Sequence, residues 1–242
     1  MLEFLKLRSA SLMPQAAVGH LGWLRGAIGA ALGILTAGIV TIICLGWTSS
    51  ALPWLVAPMG ASAVLVFAVP ASPLAQPWPV IGGNLLSSAI GLYIGASVEP
   101  APVGAAFAVG TAIAVMSLTR SLHPPGGACA LLCALGAAGP EDWGWLSMLP
   151  VAANVLALAG VGWIYNNLTG HPWPHRLRVP APSPDSSATA YRREDLEAVL
   201  ADWNEVVDVD VDDLDAIYQA VLRRSARRAR DGIAAQSGKK AI

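Results

Sequence analysis

SLHPPGGACALL, residues 121–132, is the stretch that decides the fold, because it has a second copy upstream. Residues 58–65, PMGASAVL, align with residues 125–132, PGGACALL, as P-x-G-A-[SC]-A-[VL]-L. Each copy is a short apolar segment that opens with proline and glycine. Two such segments at corresponding places in two halves of a chain are typical of a transport site inside a membrane.

The composition separates a membrane domain from a polar tail. Of the 242 residues, 55% are hydrophobic and 13% are charged, whereas soluble domains are about one quarter charged. Of the 15 Lys and Arg residues, 11 follow Gly170 and three precede Gly26. The sequence therefore predicts an N-terminal interfacial segment (1–24), a transmembrane domain (25–170), a Pro/Ser-rich linker (171–190) and a short helical cytoplasmic tail (191–242).

Six apolar segments predict an all-α, polytopic helix bundle. They cover about residues 26–46, 52–69, 80–97, 102–119, 125–138 and 147–168. A helix that crosses the hydrocarbon needs ~20 residues, so the fifth segment is too short to cross alone. We expect about six spans. A four-span bundle in which the short segments are re-entrant is the alternative.

The distribution of charge predicts the orientation of the bundle. With the N-terminus in the cytoplasm, all 15 Lys and Arg residues fall inside, and the outer loops carry Glu99, Glu141 and Asp142. This is the positive-inside pattern. We expect a multi-pass protein of the cell (inner) membrane with both termini cytoplasmic.

The internal repeat predicts two inverted halves of three spans each. Gly29-Ala-Ala31 aligns with Gly104-Ala-Ala106, and Asn84-Leu-Leu86 aligns with Asn154-Val-Leu156. Because three is odd, the second half must be inverted in the membrane relative to the first. The two short helices would then enter from opposite sides, with their N-termini facing each other near the midplane.

Facing helix N-termini favour binding of a small inorganic anion. A helix start presents unpaired N–H groups and the positive end of the helix dipole. Glycines let the backbone approach a ligand. The alternative is close helix packing by small residues. The candidate substrate-binding residues are Pro58, Gly60, Ala61, Ser62, His123, Pro124, Pro125, Gly126, Gly127, Ala128 and Cys129.

Four polar residues in or beside the apolar segments are further candidates. His123 is the only His between Gly26 and Gly170, and it predicts proton coupling or gating of the inner mouth; the alternative is an interfacial hydrogen bond. Arg120 either draws anions to the vestibule or snorkels to lipid phosphates. Asn84 and Asn154 either line the pore or bond between helices, because an unpaired amide in hydrocarbon is costly.

Other functional classes find little support in the sequence. Cys129 and Cys133 are four residues apart, but no further ligand appears at a known metal-site spacing, and packing explains them. We expect no metal, no cofactor and no enzymatic activity, because the membrane region lacks a Ser-His-Asp set, an HExxH and a Walker loop. The basic run 223–230 favours a solvated helix face near anionic lipid, and no nucleic-acid partner is expected.

The tail sequence predicts two amphipathic helices. Residues 192–204 and the segment from Asp212 onward both show helical spacing of apolar residues. These apolar faces need cover, which favours packing on the membrane domain or on a second protomer of a homo-oligomer.

LHPPGGACALL resembles the signature of the HPP family of integral membrane proteins, and APMGASAVLVF and SPLAQPWPVIGG resemble that family's other motifs. The resemblance covers about residues 20–170. Because some family members are linked to nitrite transport, it implies a transporter or channel for nitrite or a related small anion. The competing class is a non-transporting membrane scaffold or sensor that acts through its cytoplasmic tail.

Overall fold

The computed structural model describes residues 22–46, 53, 55–140, 143–175, 191–203 and 209–239, which are helical with no strands. The predictions for residues 1–21 and for most of the linker lie outside these residues. Eight α-helices occur in the described part of the chain: α1 (Gly22–Leu45), α2 (Pro58–Ala68), α3 (Asn84–Ser97), α4 (Ala101–Leu118), α5 (Pro124–Ala138), α6 (Met148–Leu168), α7 (Arg193–Trp203) and α8 (Val211–Lys239).

Four of these helices are long and apolar enough to cross a membrane. They cover Trp23–Leu45, Pro79–Ser97, Ala101–Leu118 and Trp145–Leu168, while Pro58–Ala68 and Pro124–Ala138 are shorter. The all-α prediction is confirmed. Among the described residues of the second predicted span, 52–69, the helix covers Pro58–Ala68, because Pro58 opens it at its first position. This pattern of four long helices and two short ones matches the alternative prediction in its helix lengths.

Three connections gather at one end of the membrane domain. Trp78 Nε1 donates to the Thr119 carbonyl (3.0 Å), and Trp173 Nε1 donates to the Ala75 carbonyl (2.9 Å). The start of α1 is at the same end, since Tyr165 Oη near the end of α6 donates to the Arg25 carbonyl (2.9 Å). The six helices of this domain therefore alternate in direction along the chain, the two short helices included.

The six helices pack as two three-helix bundles. Helices α1, α2 and α6 contact one another and form the first bundle, and α3, α4 and α5 form the second bundle. The bundles meet where α2 contacts α5 and where α3 contacts α6. Each bundle thus combines helices from both halves of the sequence.

Small residues bring α3 and α5 into backbone contact in the second bundle. A Cβ atom added to Gly91 would overlap the Ala130 carbonyl, and one added to Gly95 would lie 2.6 Å from Ala134 Cα. A Cβ atom added to Gly126 would lie 2.8 Å from the Gly83 carbonyl oxygen. Such spacing of small residues lets helices associate in lipid by close van der Waals contact, because hydrocarbon offers no hydrophobic driving force.

Glycines of α1 accommodate aromatic side chains in the first bundle. Added Cβ atoms at Gly29 and Gly33 would lie 2.6 Å and 2.7 Å from Phe67 ring atoms. The rings of Phe67 and Tyr165 meet edge to face, with centroids 5.9 Å apart. Larger residues at these two positions would displace the Phe67 ring and separate α1 from α2.

The described residues divide into two compact units, one ending at His175 and one that comprises the tail helices. Residues 171–175, predicted to open the linker, instead belong to the membrane unit, because the indole of Trp173 is buried against Ala75. In the tail unit both predicted helices are present. Tyr191 Oη donates to Asp215 Oδ1 (2.8 Å) and stacks near Tyr218. Desolvation and this hydrogen bond raise the pKa of Tyr191 to about 12.

Candidate functional site

Three N–H groups at the starts of the two short helices have backbone acceptors. The N–H of Met59 donates to Val56 O and that of Gly60 donates to Ala57 O. At α5, His123 is extended, as the residue before a proline tends to be, and its carbonyl accepts from the N–H of Gly126. Prolines at the first positions also remove donors. In this conformation, side chains supply the polar character of the site.

A buried cluster of polar side chains joins the two sequence motifs. Ser62 Oγ lies 2.9 Å from His123 Nε2, and Asn84 Nδ2 donates to Ser62 Oγ at 3.2 Å. Cys129 Sγ donates to Asn84 Oδ1 at 3.2 Å. We call Ser62, Asn84, His123 and Cys129 the polar cluster. Ser62 belongs to the first bundle and the other three to the second, so the cluster lies across the interface between the bundles.

Local backbone geometry places Asn84 and His123 in the cluster. Pro79–Gly83 form a π-helical turn that leads into α3, a feature that often occurs at functional sites. Gly83 is essential to this arrangement, because an added Cβ would lie 2.6 Å from Ser121 O and 2.7 Å from His123 Cβ. A glycine here lets residues 121–123 lie directly against the turn.

Asn154 is separate from the polar cluster in its described contacts. Its Oδ1 accepts the buried N–H of Val56 (3.0 Å), and its Nδ2 donates to Thr41 Oγ1 (2.7 Å). Asn154 therefore supports the chain just before α2. Of the two roles that the sequence predicted for Asn154, pore lining and bonding between helices, these contacts correspond to bonding between helices.

The predicted site residues divide between inward and outward positions. Those buried in the structure are Pro58, Ser62, Asn84, His123, Pro125, Gly126, Cys129 and Asn154; those exposed are Gly60, Ala61, Arg120, Pro124 and Ala128, with Gly127 half-buried. An added Cβ at Gly60 or Gly127 would meet nothing within 4 Å. These two glycines are therefore not required for packing within one protomer. Arg120 is exposed in the α4–α5 turn at φ 54°. It belongs neither to the polar cluster nor to the described contacts of Asn154.

Ser87 and Arg25 are two residues that the sequence argument did not single out. Ser87 Oγ is buried beside Gly126 and has no hydrogen-bond partner among the described residues. Its position one helical turn after Asn84 is the signal that could have indicated it. Arg25 lies at the ends of α2 and α6, where it donates to Phe67 O (2.6 Å) and Asn166 Oδ1 (2.9 Å). A cation suits the negative ends of these helices.

The fold and these polar contacts define an integral, multi-pass membrane protein with two short helices meeting at a buried polar cluster. Its exposed apolar helix faces contact the lipid bilayer. Residues 15–174 match the HPP transmembrane region, and the chain belongs to this family.

Two relatives of this chain come from Dictyostelium discoideum, and each is described as a transmembrane protein. The first is 38% identical over 120 residues, which cover 47% of this chain and 41% of the relative. The second is 38% identical over 121 residues, which cover 47% of this chain and 38% of the relative. The chain thus spans about two fifths of the length of each relative. No solved structure matches it.

Proposed function

We propose that this protein passes a small inorganic anion, nitrite or a relative, across the membrane between its two bundles. The observation that carries the proposal is the polar cluster, which joins both sequence motifs across the bundle interface. Polar and ionisable side chains inside a membrane domain are expensive and mark ion or substrate pathways. A role without enzymatic chemistry and without a cofactor is part of this proposal.

The pattern of helix contacts supports two inverted halves around this site. Exchanging α1 with α4, α2 with α5 and α3 with α6 converts one bundle into the other and maps contacting helix pairs onto contacting pairs, although α3 and α5 pack far more extensively than α2 and α6. The polar contacts follow a related pattern. Asn154 lies under two turns into α6, and Asn84 lies under two turns after Pro79. Each asparagine bonds to the other half of the sequence, Asn154 to Val56 and Asn84 to Cys129.

The described conformation corresponds to a closed state of the proposed pathway. Ser62, Asn84 and His123 have no exposed area, and the N–H groups of Met59, Gly60 and Gly126 already have backbone acceptors. Passage of an anion therefore requires the two bundles to separate at the α2–α5 contact. Close backbone packing makes α3 and α5 move together, so the separation lies between bundles and not within one.

Anion flux into proteoliposomes tests the proposal, with nitrite compared against nitrate, formate and chloride. If the starts of the short helices line the open path, Gly60→Val and Gly127→Val should abolish flux there; both variants should still fold, because neither added side chain meets protein atoms in the closed state. Gly110→Val and Gly160→Val are matched controls, since their Cβ positions are also open. Full flux in both motif variants would exclude the motif glycines from the path. Absence of flux for every anion, from folded protein, would contradict transport.

A scaffold or sensor acting through the tail is the second candidate. Val199, Ile217 and Val221 are exposed on the two tail helices, and the basic run from Arg223 follows them on α8. Such a surface suits a partner or an anionic lipid headgroup layer. Two results together would favour this candidate. No motif variant would lose flux, and a partner would co-purify with the parent protein but not with Ile217→Glu.

The proposed orientation has both termini in the cytoplasm of an inner-membrane protein, and a homo-oligomer is part of the same hypothesis. The support is the distribution of Lys and Arg, which spares the predicted outer loops. Single cysteines introduced at Glu99 and at Arg120, labelled from outside intact cells with a membrane-impermeant thiol reagent, test the orientation. We expect labelling only at position 99. The reverse pattern would invert the topology.

A further inference from the structure

With His123 neutral, the hydrogen bonds of the polar cluster have only one possible direction. His123 Nδ1 lies 2.8 Å from the Leu74 carbonyl, which accepts but never donates, so Nδ1 carries the proton. Asn84 Nδ2 donates to the Val80 carbonyl at 2.8 Å, which fixes the orientation of the amide. The carbonyls of Leu74 and Val80 therefore determine the direction of the hydrogen bonds that link His123, Ser62 and Asn84.

This constraint assigns the hydroxyl proton of Ser62. Ser62 Oγ accepts from Asn84 Nδ2, and neutral His123 presents a lone pair at Nε2 because its proton is on Nδ1. The hydroxyl of Ser62 therefore donates to His123 Nε2. With His123 neutral, the hydroxyl, the amide N–H groups, the imidazole N–H and the thiol of the cluster all have acceptors, and none is available to an anion.

A proton bound to His123 reverses this bond. Both ring nitrogens are then donors, so Nε2–H donates to Ser62 Oγ, which already accepts from Asn84. The hydroxyl proton of Ser62 loses its acceptor. Protonation thus creates one positive charge and one free donor at the same atom pair. Both are costly in a buried site unless an anion balances the charge and accepts the hydrogen bond.

Ser87 is an independent indication that an acceptor is missing from this region. Its hydroxyl is fully buried at the start of α5 beside Gly126, and it has no partner among the described residues. The neighbouring Ser88 donates to the Asn84 carbonyl at 2.8 Å, one turn back along the helix. Ser87 therefore stands as a second buried hydroxyl without a described acceptor, beside the start of α5 that follows His123.

We infer that the polar cluster binds a proton and a monovalent anion together, one of each, so that transport is electroneutral proton–anion symport. The inference rests on the proposed function and assigns its coupling. The proton moves to His123 Nε2, Ser62 donates to the anion, and both are released together. No bond of the anion forms or breaks.

Few other titratable groups lie on the elements that pack against His123. Helix α2 and residues 69–78 carry none, α5 carries the thiols of Cys129 and Cys133, and α3 carries Tyr93 on its exposed side. Arg120 is exposed in the adjacent turn, and Glu99 lies at the far end of α4. No described carboxylate on these elements stands beside the imidazole, so an incoming anion is the counter-charge of protonated His123.

The test measures nitrite and proton uptake simultaneously in proteoliposomes that contain a pH-sensitive dye. We expect one proton per nitrite, dependence on an inward pH gradient, and no change when valinomycin and potassium set a membrane potential. Protein-free vesicles give the baseline, because nitrous acid crosses lipid unaided. Potential-driven flux without proton uptake would overturn symport and leave the proposed transport intact. Absence of protein-dependent flux would contradict the proposed function itself.

Variants at Ser62 and His123 separate coupling from structure. Ser62→Ala should reduce coupled uptake roughly ten- to a hundredfold, the loss of one hydrogen bond to a charged group. Asn84 Nδ2 keeps Val80 O in this variant. Ser62→Thr keeps the hydroxyl and should restore uptake. His123→Gln, which cannot titrate, should remove the dependence on the pH gradient. Wild-type coupling in His123→Gln would exclude this imidazole as the proton site.

Protection of Cys129 reports whether a variant that lacks uptake is still folded. Cys129 is buried in the cluster, whereas Cys44 is exposed. In a Cys44→Ser/Cys133→Ala background, which leaves Cys129 as the one thiol, Cys129 should react slowly with a small thiol reagent in Ser62→Ala, as in the parent protein. Rapid labelling of Cys129 would show that the interface has opened. Ser62→Thr then becomes the deciding variant, and uncoupled or absent uptake in a folded Ser62→Thr protein would contradict the inference.

Discussion

Replacement of Gly91 by alanine should destabilise the membrane domain although alanine is the better helix former. Gly91 lies in the middle of α3, against the backbone of α5. In an open helix position, the change from glycine to alanine gains about 1 kcal/mol from helix propensity. At Gly91 the added methyl group instead overlaps the Ala130 carbonyl oxygen and lies 2.9 Å from Ala130 Cα.

The size of the effect follows from this geometry. Ordinary van der Waals contact of a Cβ atom begins at 3.4 Å, so the two backbones must separate by at least about half an ångström. Both contacting atoms belong to backbone, which cannot rotate away. Overpacking of this kind costs about 1–3 kcal/mol. Since that cost outweighs the gain in propensity, we expect a lower free energy of unfolding.

The measurement is reversible unfolding of the purified protein in mixed detergent–SDS micelles, followed by far-UV circular dichroism. Gly110→Ala is the matched control, because its Cβ would meet nothing within 4 Å, and it should be neutral or slightly stabilising. The double variant Gly91→Ala/Gly95→Ala should lose less than the sum of its single changes, because one separation of the helices relieves both contacts.

The result that would refute the reasoning is a stability of Gly91→Ala equal to or above that of Gly110→Ala. Such a result would mean that α3 and α5 lie further apart than the described contacts require. The argument that these two helices move as one body would then fail, and with it the expectation that opening occurs between the bundles.

Asn154→Leu should lower the free energy of unfolding by about 1–3 kcal/mol, because the buried N–H of Val56 loses its acceptor; a stability equal to that of the parent in the same unfolding assay would mean that another acceptor replaces it. Arg25→Gln should lower the thermal midpoint more than Arg25→Lys, because lysine retains a cation beside Phe67 O; equal midpoints for the two variants would exclude the charge as the cause. In the tail, the phenolate absorbance that Tyr191→Phe removes should titrate near pH 12 and shift toward the ordinary value of 10.0 in Asp215→Ala. Because the folded pKa of Tyr191 is the higher one, its hydrogen bond to Asp215 stabilises the tail unit below pH 10, and this contribution is lost as the pH rises through 12. An unshifted midpoint in Asp215→Ala would contradict a role for the carboxylate.

The motifs determined the candidate residues, and tertiary packing decided how those residues are used. Repeated P-x-G-A-[SC]-A-[VL]-L segments indicated that Ser62 and Cys129 occupy related places, and their isolation among apolar residues singled out His123 and Asn84. The structure brings these four into one cluster. Gly60 and Gly127, conspicuous in the sequence for the same reasons, instead face open space.

Apolar length and charge by themselves determined that this chain is a helical membrane domain followed by a polar, helical tail. Those properties are local, because a helix in lipid must satisfy its own backbone and needs a fixed length to cross. The bond from Val56 to Asn154 joins residues 98 positions apart, and that from Ser62 to His123 joins residues 61 apart. In the structure α3 packs with α4 and α5, and α6 packs with α1 and α2. This arrangement decides which of the two asparagines joins the polar cluster and which glycines bring helix backbones together. Only the tertiary structure decides these pairings, because hydropathy fixes the depth of a residue but not the neighbour it meets.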